Sequence, residues 1–207
     1  MADSASAIPR TRVIACGALA REVVEALRAL PPGTPLDVTC LPAIWHNTPQ
    51  KIPEGVRAKI RAARAEGIER VLVAYGDCGT GGLLDQVLAE EGASRIEGPH
   101  CYAFYSGNAR FAAWAEADPA CFYLTDYLAR HFERLIWQGL GLDRFPQLLG
   151  DYFGNYTTLV YLSQLDDPAL EATARTAAGR LKLAYRHERV GLGELGGFLA
   201  AAAAPDE

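Results

Sequence analysis

The stretch Val71–Gly82, reading VLVAYGDCGTGG, constrains this chain more than any other. Val71, Leu72, Val73 and Ala74 form a short apolar run without helical period. The run empties into a loop with glycine at 76, 79, 81 and 82, and an amphipathic segment follows. Such a run, bounded by glycine, reads as a buried parallel strand leading into a helix. The glycines leave the Cys78 thiol thinly covered and let backbone N–H groups approach a ligand. A helix N-terminus beside Cys78 is expected to lower the thiol pKa and favour the thiolate, the form that attacks and binds metals. A lone free cysteine is more often a small core residue, so the argument turns on its company.

That company is informative. Cys16 ends the apolar run Val13-Ile14-Ala15 and precedes Gly17 and a helix; Cys101 follows a short strand and adjoins His100; LPAIWHNTP delivers His46. If the strands are parallel, all four positions fall on one carboxyl edge, where open α/β sheets build their sites. Strand and helix alternate through the chain. Strands are expected at Arg12–Ala18, Leu36–Leu41, Val71–Ala74, Ser94–Gly98, Cys121–Leu124, Thr157–Leu162 and Ala184–Val190, with helices between them. Two helices are expected across Asp126–Tyr156, divided by Gly139, Gly141 and Pro146. That spacing predicts a single doubly wound α/β domain over residues 11–204, mainly parallel with helices on both faces, after a disordered lead over 1–10.

Composition narrows the function. A chain of 207 residues, half of them hydrophobic, can bury a full core. Net charge of −5 and a pI near 5.4 argue against a nucleic-acid surface or an anionic membrane. No apolar run approaches the roughly 20 residues of a membrane span. The start lacks the basic and apolar regions of a signal peptide, so the expected location is cytoplasmic. Five cysteines in strand-to-loop positions then favour metal or catalytic use over disulfides.

Several chemistries compete for these residues. The loop Gly76–Gly82 has no Lys-Ser/Thr and no dinucleotide spacing, although anion binding by Gly76, Gly79 and Gly81 stays open. No Cys-x-x-Cys occurs, which argues against a disulfide oxidoreductase. A Cys–His nucleophilic enzyme without metal needs only one thiol. A metal centre uses Cys16, Cys78 and Cys101 together, with His46 as fourth ligand or as an acid–base. Zinc is the expected ion, and a [4Fe–4S] cluster with one open iron is the alternative. Tyr75 and His100 complete the candidate catalytic set with His46. Asp77 orients a histidine or caps the next helix, the cap being preferred. Cys40 and Cys121 read as core. His131 and His187 read as surface or capping residues, and the aromatics from Tyr127 to Tyr156 as core or a dimer face.

The same residues resemble a bacterial and archaeal family known as a domain of unknown function. The resemblance spans roughly residues 11–190. It is carried by Cys16, Leu41-Pro42 with His46-Asn47-Thr48-Pro49, Tyr75-Gly76-x-Cys78-Gly79, and His100-Cys101. Phe122-Tyr123-Leu124-Thr125 and Asp151-Tyr152…Asn155-Tyr156 add to it. One departure is that His100 adjoins Cys101 directly, where the family pattern is His-Asp-Cys. Genes of that family often stand beside corrinoid proteins and corrinoid-dependent methyltransferases of methylamine, betaine or methoxy metabolism. The family name supplies no reaction, but that neighbourhood implies methyl-group transfer or demethylation as the pathway in which the metal-dependent enzyme read from the residues acts on a small-molecule substrate. A non-catalytic accessory protein that binds metal, corrinoid or a partner methyltransferase is the rival expectation; a homo-oligomer is compatible with either.

Overall fold

The computed structural model describes residues 10–204. Nearly all of the expected disordered lead lies outside them. The protein is α/β, with every strand pairing parallel. The strands form two sheets rather than the single expected one, with orders β2-β1-β3-β4 and β5-β6-β7. Two compact units result, Met1–Phe104 with Gly193–Glu207, and Tyr105–Leu192.

In the first unit, β1 (Thr11–Cys16) lies between β2 (Leu36–Leu41) and β3 (Arg70–Ala74), and the short β4 (Ser94–Arg95) closes the far side. Val13, Ile14 and Ala15 are fully buried, as a central strand covered on both faces requires. Helix α1 (Ala20–Arg28) follows β1, and α2 (Ile52–Ala65) follows β2. Helix α2 buries Ile52, Val56, Ile60 and Ala63, the four- and three-residue spacing of one helical stripe. Helix α3 (Leu83–Glu90) packs beside it. Below them Glu91, nearly buried, is held by Arg57, Arg61 and Arg64 of α2. The short α4 (Cys101–Ser106) follows β4, and the closing α9 (Gly193–Ala202) packs on α1.

In the second unit α5 (Asn108–Ala117) precedes β5 (Cys121–Thr125), α6 (Asp126–Arg130), α7 (Leu149–Phe153), β6 (Thr158–Ser163), α8 (Pro168–Leu181) and β7 (Ala184–Arg189). Its core gathers Leu124, Phe132, Phe153, Leu159 and Tyr161 against the Leu170–Ala174–Ala177–Leu181 stripe of α8. The long aromatic segment is less regular than expected. It runs as α6, a π-turn at Glu133–Trp137, a 3-10 turn at Pro146–Leu148, and α7. Phe132 and Phe153 are core, whereas Phe145, Tyr152 and Tyr156 are exposed. Cys121 is buried as expected; Cys40 is exposed, because β2 is an edge strand. No helix among the described residues is long and apolar enough to cross a membrane.

Candidate functional site

The order β2-β1-β3-β4 places a topological switch point between β1 and β3. The chain leaves β1 toward β2 on one side, then returns to β3 on the other. At such a point the two flanking loops diverge and leave a crevice at the carboxyl edge. Cys16 ends β1 opposite Leu41 of β2, and Ala15 pairs with Ala74, so Tyr75 continues β3 alongside Cys16. β2 leads into a 3-10 turn at Ala43–Asn47 that carries His46. The segment after β4 delivers Cys101 at the start of α4. Four segments thus converge on one edge.

Close backbone approach makes the convergence possible. A Cβ on Gly17 would stand 2.9 Å from the Leu41 carbonyl oxygen, which lets the end of β2 fold over Cys16. A Cβ on Gly76 would stand 2.7 Å from the backbone N and Cα of His100. That contact seats the β3 loop on the segment bearing Cys101. Two backbone bonds secure it: the N–H of Asp77 donates to Gly98 O (3.2 Å), and that of Cys78 to Pro99 O (2.8 Å).

Asp77 neither orients a histidine nor caps α3, whose N-cap is Gly82. Its carboxylate instead staples the loop. Oδ1 accepts from Thr80 Oγ1 (2.6 Å) and from the Gly82 N–H (2.9 Å), and Oδ2 accepts from the Gly81 N–H (3.2 Å). Within this staple Gly79, Gly81, Gly82 and, unusually, Cys78 itself take positive φ, 50° at the cysteine. A side chain there costs free energy that glycine avoids, and such strain persists where the surroundings over-determine it.

The Cys16 thiol accepts from the Ala18 N–H at 3.4 Å and lies 3.6 Å from His46 Nδ1. The Tyr75 hydroxyl faces the same thiol, without a well-formed hydrogen bond. The three thiols are close enough that Cys16 raises the cost of charging Cys78, and Cys16 and Cys78 raise that of Cys101. His46 exposes much of its surface, yet its ring sits in crowded enough surroundings that burial lowers its pKa. Burial also lowers the pKa of His100, whose ring packs on Tyr102 at 5.2 Å between centroids. The site therefore gathers Cys16, His46, Tyr75, Cys78 and Cys101. His100 enters it through its backbone.

The thiols are not activated as the loop sequence suggested. Burial pushes Cys78 up to about 12, Cys16 above its ordinary value, and Cys101 well above it. Arg95 pulls Cys78 the other way. It is committed to Asp85 (2.6 Å) and to the Ile96 and Gly98 carbonyls (3.0 Å each), and desolvation wins. Helix α3 begins five residues beyond Cys78, too far for its dipole to matter within a turn. A metal-free thiolate nucleophile is thus disfavoured. Among the described residues no three His, Cys, Asp or Glu side chains stand so that they could hold a single metal ion.

Fold and site together define an α/β protein with three thiols gathered at the switch point of a parallel sheet. Residues 40–199 match the family described as "Protein of unknown function (DUF1638)", and the chain belongs to that family. His46, Tyr75, Cys78 and Cys101 lie inside the matched span, and Cys16 precedes it. No curated protein and no solved structure matches the chain.

Proposed function

We propose that this chain is an enzyme built on a thiolate-ligated metal centre, with Cys16, Cys78 and Cys101 as ligands and His46 at the rim. The observation that supports it is the convergence of three thiols, from three segments, onto one buried edge, where Cys16 raises the cost of charging Cys78 and both raise that of Cys101. A bound cation reverses that balance, because thiolates that repel one another all attract the metal. The donors are soft sulfur with one imidazole, which suits zinc or iron–sulfur chemistry.

Zinc draws its donors to about 2.3 Å from one point, and no three donors among the described residues are gathered so. An iron–sulfur cluster distributes its cysteines over several irons, which makes it the centre proposed. When bound, such a centre supplies Lewis acidity and an open position for a small substrate.

The chain's own residues do the rest. The neutral imidazole of His46 is free to accept a proton at the rim. The Tyr75 hydroxyl is placed to donate to the Cys16 sulfur once that sulfur is a thiolate. Gly81, with nothing within 4 Å of an added Cβ, leaves its part of the loop open to substrate or cofactor, whereas Gly76 is packed on the His100 backbone. Within this proposal the reaction is methyl-group transfer or demethylation alongside a corrinoid protein or methyltransferase in the cytoplasm, a context supported by the family resemblance.

The test is elemental and spectroscopic. Protein purified anaerobically, or reconstituted with iron and sulfide, is expected to absorb broadly near 400 nm and to carry about four irons per chain, for a cubane. Alanine at Cys16, Cys78 or Cys101 should abolish that absorption. One zinc per chain would move the proposal to a mononuclear site, and folded protein that takes up neither would refute it.

A further inference from the structure

A second constellation lies in the second unit and uses none of the residues of the thiol edge. At the carboxyl ends of β6 and β7 a cavity of ≈ 200 Å³ is lined by Tyr161, Ser163, Glu171 and His187, among others. Ser163 Oγ lies 2.9 Å from His187 Nε2, and His187 Nδ1 lies 3.5 Å from Glu171 Oε2. The three side chains come from the end of β6, from β7 and from the first turn of α8, and are brought together by register alone. Tyr161 pairs with His187 and Ser163 with Arg189, so Ser163 and His187 sit diagonally across one face of the sheet.

The arrangement is braced. The Tyr161 ring stacks on His187 (5.1 Å, 25°), and its hydroxyl donates to the buried Asp126 at 2.6 Å. The other Asp126 oxygen accepts from the Leu165 N–H (2.9 Å), which fixes the turn completing the cavity wall. Glu171 Oε1 pairs with Arg175 at 3.1 Å, leaving Oε2 toward the imidazole.

We propose that this cavity is a second active site, for acyl transfer from small esters or thioesters, with Ser163 as nucleophile, His187 as base and Glu171 as the group that orients the imidazole. Nucleophile, base and orienting acid in sequence, lining a cavity at the carboxyl edge of a parallel sheet, are recognised by geometry and not by chain order. Ser163 Oγ bonds to the acyl carbon as its proton passes to His187 Nε2. The bond to the leaving alcohol or thiol breaks, and the leaving group takes that proton. Water then gives a proton to His187 while its oxygen bonds to the acyl carbon. Ser163 Oγ departs and is reprotonated by His187, so the sum is ester plus water to acid plus alcohol or thiol. The small volume limits the acyl group to a few carbons.

A fluorophosphonate probe tests this on the full chain, because it phosphonylates only an activated serine and releases fluoride. Labelling is expected at Ser163 by peptide mapping and lost in Ser163→Ala. It should be slowed about 10²–10⁴-fold in His187→Gln, and less in Glu171→Gln. Should the histidine variant not fold, the site of labelling in wild-type protein decides the matter, because Ser163 must react ahead of every other serine. Wild-type protein left unlabelled at Ser163, or labelling unchanged in folded His187→Gln, would each overturn the proposal.

Discussion

Cys16 Sγ and His46 Nδ1 stand 3.6 Å apart, although thirty positions separate them along the chain. The β1–β2 register brings Cys16 level with Leu41, and the turn beyond Pro42 folds back over it. Burial holds the imidazole pKa below its ordinary 6.5. His46 is therefore expected to be neutral at pH 7 and to titrate below 6.5, as histidine NMR of the metal-free protein would show. Unfolded chain binds that proton more readily than folded chain, so His46 costs stability only as pH falls below 6.5. In His46→Ala the metal content should match wild type, whereas turnover, once a substrate is known, falls by about 10²–10⁴-fold. Loss of metal along with His46 would instead make it a ligand.

The thiols give the opposite pH dependence. Their folded pKa values lie above the ordinary 9.0, with Cys78 at about 12. Unfolded chain sheds those protons first, so their contribution is fully present below pH 9 and is lost as pH rises toward 12. Metal-free protein should lose chemical stability steeply over that window. Loaded protein should lose much less, because its ligands are already deprotonated. Urea midpoints measured at intervals from pH 8 to 11 would check both.

Cys78 pays for its left-handed backbone. Cys78→Gly should be more stable than Cys78→Ala in metal-free protein by about 1 kcal/mol, although neither binds metal. Equal stabilities in urea titration would show that the φ of 50° stores no strain.

Gly76 and Gly81 are both in the loop but should respond differently. Gly76→Ala drives a Cβ into the His100 backbone and is expected to cost about 1–3 kcal/mol and to weaken metal uptake. At Gly81 nothing stands within 4 Å of an added Cβ, so only the positive φ opposes it, at about 1 kcal/mol. Thermal melts with metal analysis of the two variants would separate crowding from backbone strain.

In the second unit, Asp126→Ala strands the Leu165 N–H and the buried Tyr161 hydroxyl together. Leaving two such donors unpaired is expected to cost about 3 kcal/mol, seen as a lower urea midpoint. Asp126→Asn keeps one acceptor and should recover part of that loss.

Much of this was legible in the chain. Apolar runs ending in Cys16 and before Cys78 gave both strands and their carboxyl-edge residues, and Leu36–Leu41 is a strand with those very bounds. Val13, Ile14 and Ala15 have nothing polar to turn toward solvent, so a doubly covered strand is their only stable setting. Asp77 reads as a cap in sequence, because a carboxylate before a helix looks like one until the positive-φ loop beneath it is known. Cys40 reads as core in sequence, because an edge strand and an inner one share the same apolar pattern when the strand order is unknown.

The sequence by itself determined the alternation of strand and helix, the parallel pairing, and which residues fall at the carboxyl edge. These follow from local periodicity and from glycine and proline punctuation, which act within a few residues. Tertiary structure alone decided that the strands divide into two sheets, since strand order depends on which apolar faces meet. It alone raised the thiol pKa values, because desolvation is a property of the packed surroundings. It also set Ser163 beside His187, a pairing fixed by the β6–β7 register between residues twenty-four apart, and no local pattern encodes a register.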